Sequence, residues 1–170
     1  MRTLMKVLKN LFGNNTKISA EEIVIKNNEK ANKVSNIGLI AKVGLTNSNF
    51  SIPASTYTKI PFNYQFKMDN GLELTSNGGI KINTNSRVAI VTARVRFETE
   101  TNCIIALKQN NDRKVVNSSK PNAYGHLSVT GILDVSKNDV IYCSVYSDTK
   151  NNSIGGGNPP IWVSMDVVLI

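Results

Sequence analysis

His126 is the one histidine in the chain, so any acid–base or nucleophilic chemistry would be expected to pass through it. Such chemistry needs a serine or cysteine nucleophile and an orienting carboxylate within hydrogen-bond reach of the ring. His126 stands in the strand-like run GHLSVTGILDV, which places neither beside it. The acidic pairs Glu98 with Glu100, and Asp134 with Asp139, fall at strand ends where carboxylates are solvated, a poor setting for glycosidase chemistry. Cys103 and Cys143 each lack a near ligand partner, and Asp139 and Asp148 are too far apart for a calcium loop. The run Gly155-Gly156-Gly157 does not join a strand to a helix, so it reads as a flexible loop and not as a phosphate cradle. Arg94 and Arg96, side by side on one strand face, are suited to holding an anion, although cross-strand pairing with acids is the more ordinary use. The expectation is a chain that is not an enzyme, with no cofactor and no metal.

The elements that carry these residues centre on Gly78 to Glu100, GGIKINTNSRVAIVTARVRFETE. Past the Asn85–Ser86 turn, Ala89, Val91, Ala93, Val95 and Phe97 share one face, and Thr92, Arg94, Arg96 and Glu98 share the other. That period of two predicts a strand with one face in a core. Before it, Leu39 to Leu45 alternate. Ile60, Phe62, Tyr64 and Phe66 alternate against Pro61, Asn63, Gln65 and Lys67, an amphipathic strand. After it come Cys103 to Leu107, then Leu127 to Val135 with Gly131 as a bulge or close approach, then Ile141 to Val145 with Tyr142 and Tyr146 on the opposite face. The final run, IWVSMDVVLI, alternates Ile161, Val163, Met165, Val167 and Leu169 against Trp162, Ser164 and Asp166, and is expected to be built into the sheet. The segments 109–122 and 148–160 read as long exposed loops. Eight to ten strands with no helix between them predict an all-β antiparallel β-sandwich over residues 37–170.

Residues 1–30 differ. Leu4, Met5, Leu8, Leu11 and Phe12 recur at helical spacing, and Gly13-Asn14-Asn15 ends the pattern. So short a helix is marginal in water and is expected to lie on another surface as an anchor. The polar segment around Asn27–Ser35 is the expected domain boundary.

The 170 residues suit one domain with a short appendage. Net charge is +8, spread along the chain with no dense basic block. Aromatic residues are 6% of the chain and do not interleave with basic ones in the sequence. Nucleic-acid binding is therefore not expected. No apolar run of about 18 residues predicts a membrane span, and no signal peptide is apparent, so the chain is expected to be made in a cytoplasm with both cysteines as buried free thiols.

From Phe62 onward the order of motifs resembles trimeric jelly-roll modules of the C1q and tumour-necrosis-factor type. GGIKINTNSRVAIVTARVRF, CIIALKQN, GHLSVTGILDVSKNDVIYCSVY and IWVSMDVVLI resemble their successive strands. In SKNDVIYCSV, Asp139 is kept and Asn138 stands where those modules have glycine. An N-terminal anchor followed by such a module resembles bacteriophage head-fibre and capsid-decoration proteins. The resemblance implies a homotrimer on a virion, assembled in the host cytoplasm and attached by residues 1–30 to the major capsid protein or another virion protein. Tyr64, Arg94, Arg96, Tyr124, Tyr142, Tyr146 and Trp162 are the candidate trimer-interface residues, the alternative being that the aromatics cap the core of a monomer. Arg113, Lys114, Asn151, Asn152 and Asn158, in the two long segments, are candidate distal contacts. The competing reading is a receptor- or carbohydrate-binding tip that meets a host surface glycan, although neither segment carries an aromatic ring.

Overall fold

The alternation over Val88–Arg96 forms a nine-residue strand in which Ala89, Val91, Ala93 and Val95 have no solvent exposure. The computed structural model describes residues 38–47, 49–85, 88–157 and 160–170. Among them are thirteen strands, numbered in chain order. The first six are β1 (Leu39–Gly44), β2 (Phe50–Ile52), β3 (Thr58–Lys59), β4 (Tyr64–Met68), β5 (Leu72–Leu74) and β6 (Ile80–Ile82). β7 (Val88–Arg96), β8 (Cys103–Gln109) and β9 (Asp112–Ser119) follow. β10 (His126–Asp134), β11 (Val140–Ser147), β12 (Asn152–Ile154) and β13 (Ser164–Leu169) complete the set. The expected helical anchor, with Leu4, Met5, Leu8, Leu11 and Phe12, lies outside the described residues.

Two antiparallel sheets face each other. The first runs β10-β7-β13-β1-β4, and the second runs β5-β6-β11-β8-β9 with β3 also on β11. β13 sits at the centre of the first sheet, where Val167 is in register with Ala41 of β1 and Val91 of β7. The inward residues of both sheets, among them Val91, Phe97, Ile105, Ile141, Met165 and Leu169, form one buried cluster. Fully burying each such side chain stabilises the fold by roughly 1.5–3 kcal/mol before ordering costs.

Several expectations change. β4 is exposed from Tyr64 to Lys67, because it is an edge strand whose register shifts against Lys42 and Val43. Its bulge turns Tyr64 and Phe66 outward, while Ile60 and Phe62 stay buried. The segment 109–122 is mostly strand: β9 pairs with β8 along most of its length and closes the second sheet. Only Val115 is partly buried against the core and every other residue of the strand is exposed, so it carries no period-two signal. Within 148–160, Asn152–Ile154 pairs with β2. Gly155 and Gly156 are buried, and Gly156 N–H donates to the Asn47 carbonyl at 2.8 Å, so this part is packed and not a free loop. The last strand starts at Ser164, leaving Ile161 exposed where it was expected to face inward.

Gly131 lies in unbroken register between β10 and β7, so it is not a bulge. It is a close approach: a Cβ there would stand 2.6 Å from Val115 Cγ2, across the two sheets. Asn138 adopts φ 75°, a left-handed conformation that explains how it replaces glycine in the turn before β11.

Candidate functional site

The candidate interface residues separate onto the two outer faces of the sandwich. Arg94 and Arg96 project from β7 on the face opposite Ala93 and Val95. Beyond the strand end Phe97 bridges to Ile154 and the chain bends at Glu98, whose side chain lies against Arg96. Arg96 Nη2 donates to Glu98 Oε1 at 2.7 Å, and Nε donates to the same oxygen at 3.2 Å. The acid is therefore a near neighbour along the chain and not the expected cross-strand partner. Arg94 is exposed and forms no ion pair among the described residues.

The guanidinium of Arg96 lies 3.8 Å from the centre of the Trp162 ring, stacking distance for a cation on an indole, and 5.9 Å from the Tyr124 ring. Tyr124 is 66% exposed and holds φ 61°, a left-handed conformation that costs a non-glycine residue about 1 kcal/mol or more. Gly155 backs the pair: a side chain there would collide with the Glu98 carboxylate and the Arg96 guanidinium. The glycine run thus seats an ion pair that sequence reasoning did not connect with it. The spacing of Arg96 and Glu98 already puts them on one face; that the glycine run lies against them depends on the Phe97–Ile154 bridge, which local spacing does not encode.

His126 is in register with Arg96 on this face. Desolvation first, and then the charges of Arg94 and Arg96, hold its imidazole below the usual range, so it is neutral at pH 7. At the other end of the sheet Tyr64 packs edge-on against Phe66, with ring centres 4.9 Å apart. Lys42, Phe66, Lys67, Ile161 and Ser164 line a shallow pocket of about 360 Å³ there. Between these ends, Asp166 on β13 is in register with Lys42 and Thr92. Its Oδ1 is buried without a hydrogen-bond partner, and desolvation raises its pKa although Lys42 opposes the shift. Ile132 on β10 is 72% exposed on this same side.

Tyr142 and Tyr146 lie on the outer face of the second sheet, away from the other five residues. They are joined by Tyr57, whose ring centre is 5.0 Å from that of Tyr146. Lys108 and Arg113 lie over the Tyr57 ring at 5.4 and 5.3 Å, and Lys59 lies over Tyr142 at 4.0 Å. Arg113 also donates to the Tyr57 hydroxyl at 2.7 Å. Rings and cations therefore do interleave in space, through strand pairing that the linear sequence hides. Tyr57, Lys59 and Lys108 were missed for that reason.

Of the distal candidates, Arg113 and Lys114 are exposed on β9, where Lys114 pairs with Asp112. Asn151 Oδ1 accepts from the Ala54 N–H at 2.9 Å. Asn152 is buried and braces the Thr99 backbone, so it is a structural residue and not a contact. Asn158 lies outside the described residues.

Both cysteines are buried and free. Their strands are neighbours, yet Cys103 is opposite Ser147 and Cys143 is opposite Leu107. Four residues of offset amount to roughly 13 Å, far beyond disulfide reach. Among the described residues no group of three or more histidine, cysteine or acidic side chains gathers to hold a metal ion.

No protein-family model matches the chain, and neither does any curated protein. Solved structures do match in fold. A structure of Eiger TNF from S. frugiperda superposes with TM-score 0.60 at 11% identity, covering 79% of this chain and 93% of that one. Murine APRIL at pH 5.0 gives TM-score 0.60 at 12% identity, covering 78% and 99%. The PRD1 vertex protein P5 gives TM-score 0.59 at 16% identity, covering 79% and 97%. At these identities the likeness is one of fold: an all-β antiparallel sandwich of the tumour-necrosis-factor-like jelly-roll kind.

Proposed function

We propose that this chain is a non-enzymatic surface component of a bacteriophage particle, a head fibre or capsid decoration, that assembles as a homotrimer. The observation that carries the reading is the outer face of the β10-β7-β13-β1-β4 sheet. It presents exposed Tyr64, Phe66, Ile132, Ile161 and Trp162. Apolar side chains left in water on one face of a sheet are what a second subunit would cover. A cyclic trimer uses heterologous contacts, two different patches per subunit, so this face would meet a different patch of its neighbour. The fold likeness to a phage vertex protein supports the virion setting. Residues 1–30, in whose sequence Leu4, Met5, Leu8, Leu11 and Phe12 recur at helical spacing, would attach the assembly to a capsid protein.

Light scattering coupled to gel filtration tests the assembly, and a mass three times the 18.6 kDa of the chain is expected. A monomer at micromolar concentration overturns it. Deleting residues 1–15 should leave an assembly of three of the shortened chains and abolish loading onto particles; normal loading would sink the anchor. A host-recognition role fits the same assembly, and the tyrosine–cation face of the second sheet favours it.

A further inference from the structure

We infer that the outer face of the second sheet is a binding site for an acidic polysaccharide, a sugar chain bearing carboxylate, sulfate or phosphate groups. The inference does not rest on the assembly proposed above, because the two faces belong to different sheets. Lys59, Lys108 and Arg113 converge on this face, and none of them forms an ion pair among the described residues. Each lies within 6 Å of a tyrosine ring instead. A ring orders a long cationic side chain without neutralising it, so the charge remains available to an anion. Tyr57 is the hub, since it contacts Lys108, Arg113 and Tyr146 at once.

Beside this cluster a surface pocket of about 320 Å³ is lined by Ile104, Ser118, Ser119, Lys120, Tyr146 and Asp148. Ile104 and Tyr146 supply an apolar floor, and the serines and Asp148 supply hydroxyl and carboxylate partners for sugar hydroxyls. Tyr146 belongs to both the pocket and the ring stack, so a sugar seated in the pocket would place its neighbours along the chain over Lys108 and Arg113. The chemistry favours a saccharide over a nucleic acid. The rings of Tyr57 and Tyr142 are already covered by cations or by another ring, which leaves Tyr146 as a single aromatic face and no run of platforms for successive bases. A mixed apolar and hydroxyl pocket next to unpaired cations is the combination that an anionic sugar chain requires.

Binding of the full chain to immobilised polygalacturonate, with dextran and oligothymidylate as comparators, tests the site. Polygalacturonate should bind measurably better than dextran and oligothymidylate. The double variant Lys108→Gln/Arg113→Gln should weaken polygalacturonate binding about tenfold. The control Lys137→Gln removes a charge from the turn before β11 and should leave binding within about twofold. Tyr146→Ser should weaken binding while circular dichroism and the melting temperature report whether it folds; Ser118→Val gives the same reading from a residue outside the core. Equal loss in the control variant, equal binding to dextran, or tighter binding to oligothymidylate through the same residues would each overturn the proposal, as would no polygalacturonate binding at all.

Discussion

Asn110 and Asp139 sit on different turns and lock them together. Asn110 Nδ2 donates to Asp139 Oδ1 at 2.9 Å, and Asn110 Oδ1 accepts from the Val140 N–H at 3.0 Å. Asp139 Oδ2 accepts from Gln109 Nε2 at 2.7 Å and from the Ser136 N–H at 2.8 Å. The turn between β8 and β9 and the turn before β11 thus share one carboxylate.

Burial works against ionisation of Asp139, but the hydrogen bonds from Asn110, Ser136 and Gln109 outweigh it and hold its pKa below the usual value. An acid with a depressed folded pKa stabilises the fold above its unfolded pKa and loses that contribution as pH falls through the folded value. Asp139→Ala should therefore cost about 1 kcal/mol at pH 7, solvent screening limiting the effect. The difference from wild type should shrink below about pH 4, as measured by urea denaturation at several pH values.

Gly131 faces Val115 across the sandwich with no room for a methyl group. Gly131→Ala should destabilise the protein by about 1–3 kcal/mol through overpacking. Val115→Ala in the same chain should recover part of that loss, and a double-mutant cycle would read the coupling. Additive effects would show that the approach is looser than its geometry.

Burial raises the pKa of Cys103 to about 11, against an opposing hydrogen bond from Asn152, and burial also pushes Cys143 up. The thiolate is the reactive form. Neither cysteine should react with Ellman's reagent in the native protein at pH 8, and both should react in guanidinium. Prompt reaction of the native protein would show that the second sheet opens.

Asp166 carries the opposite sign to Asp139. Its folded pKa is raised, mainly by desolvation, so its ionised form destabilises the subunit above that pKa and the penalty vanishes as pH falls. Asp166→Asn should raise the melting temperature of a separated subunit at pH 7 and have little effect near pH 3.

The core was legible from sequence wherever one strand face is buried and the other is wet. β7, β10 and β13 read correctly because Val91, Val129 and Val167 each alternate with outward residues. β9 was illegible because this edge strand buries only Val115 and leaves its other residues exposed, so there is no period to detect. The exposure of the Tyr64–Phe66 pair was not legible because a bulge reverses facing without altering the residue pattern. The cluster of Tyr57, Lys108 and Arg113 depends on the pairing of β8 with β9 and on where the segment before β3 crosses them. Such proximity is set by topology, and nothing in local spacing encodes it.

The central place of β13 bears on how the chain is made. β1 and β7 flank it, and each pairs with it along six residue positions. Until β13 has left the ribosome, those two strands present raw hydrogen-bonding edges with Ala41, Val43, Val91 and Ala93 beside them. Nascent chains stalled before residue 164 would pair with one another or recruit a chaperone. Completion of the first sheet is thus a late, long-range event, and yield in a host cell should respond to translation speed through the final third of the message.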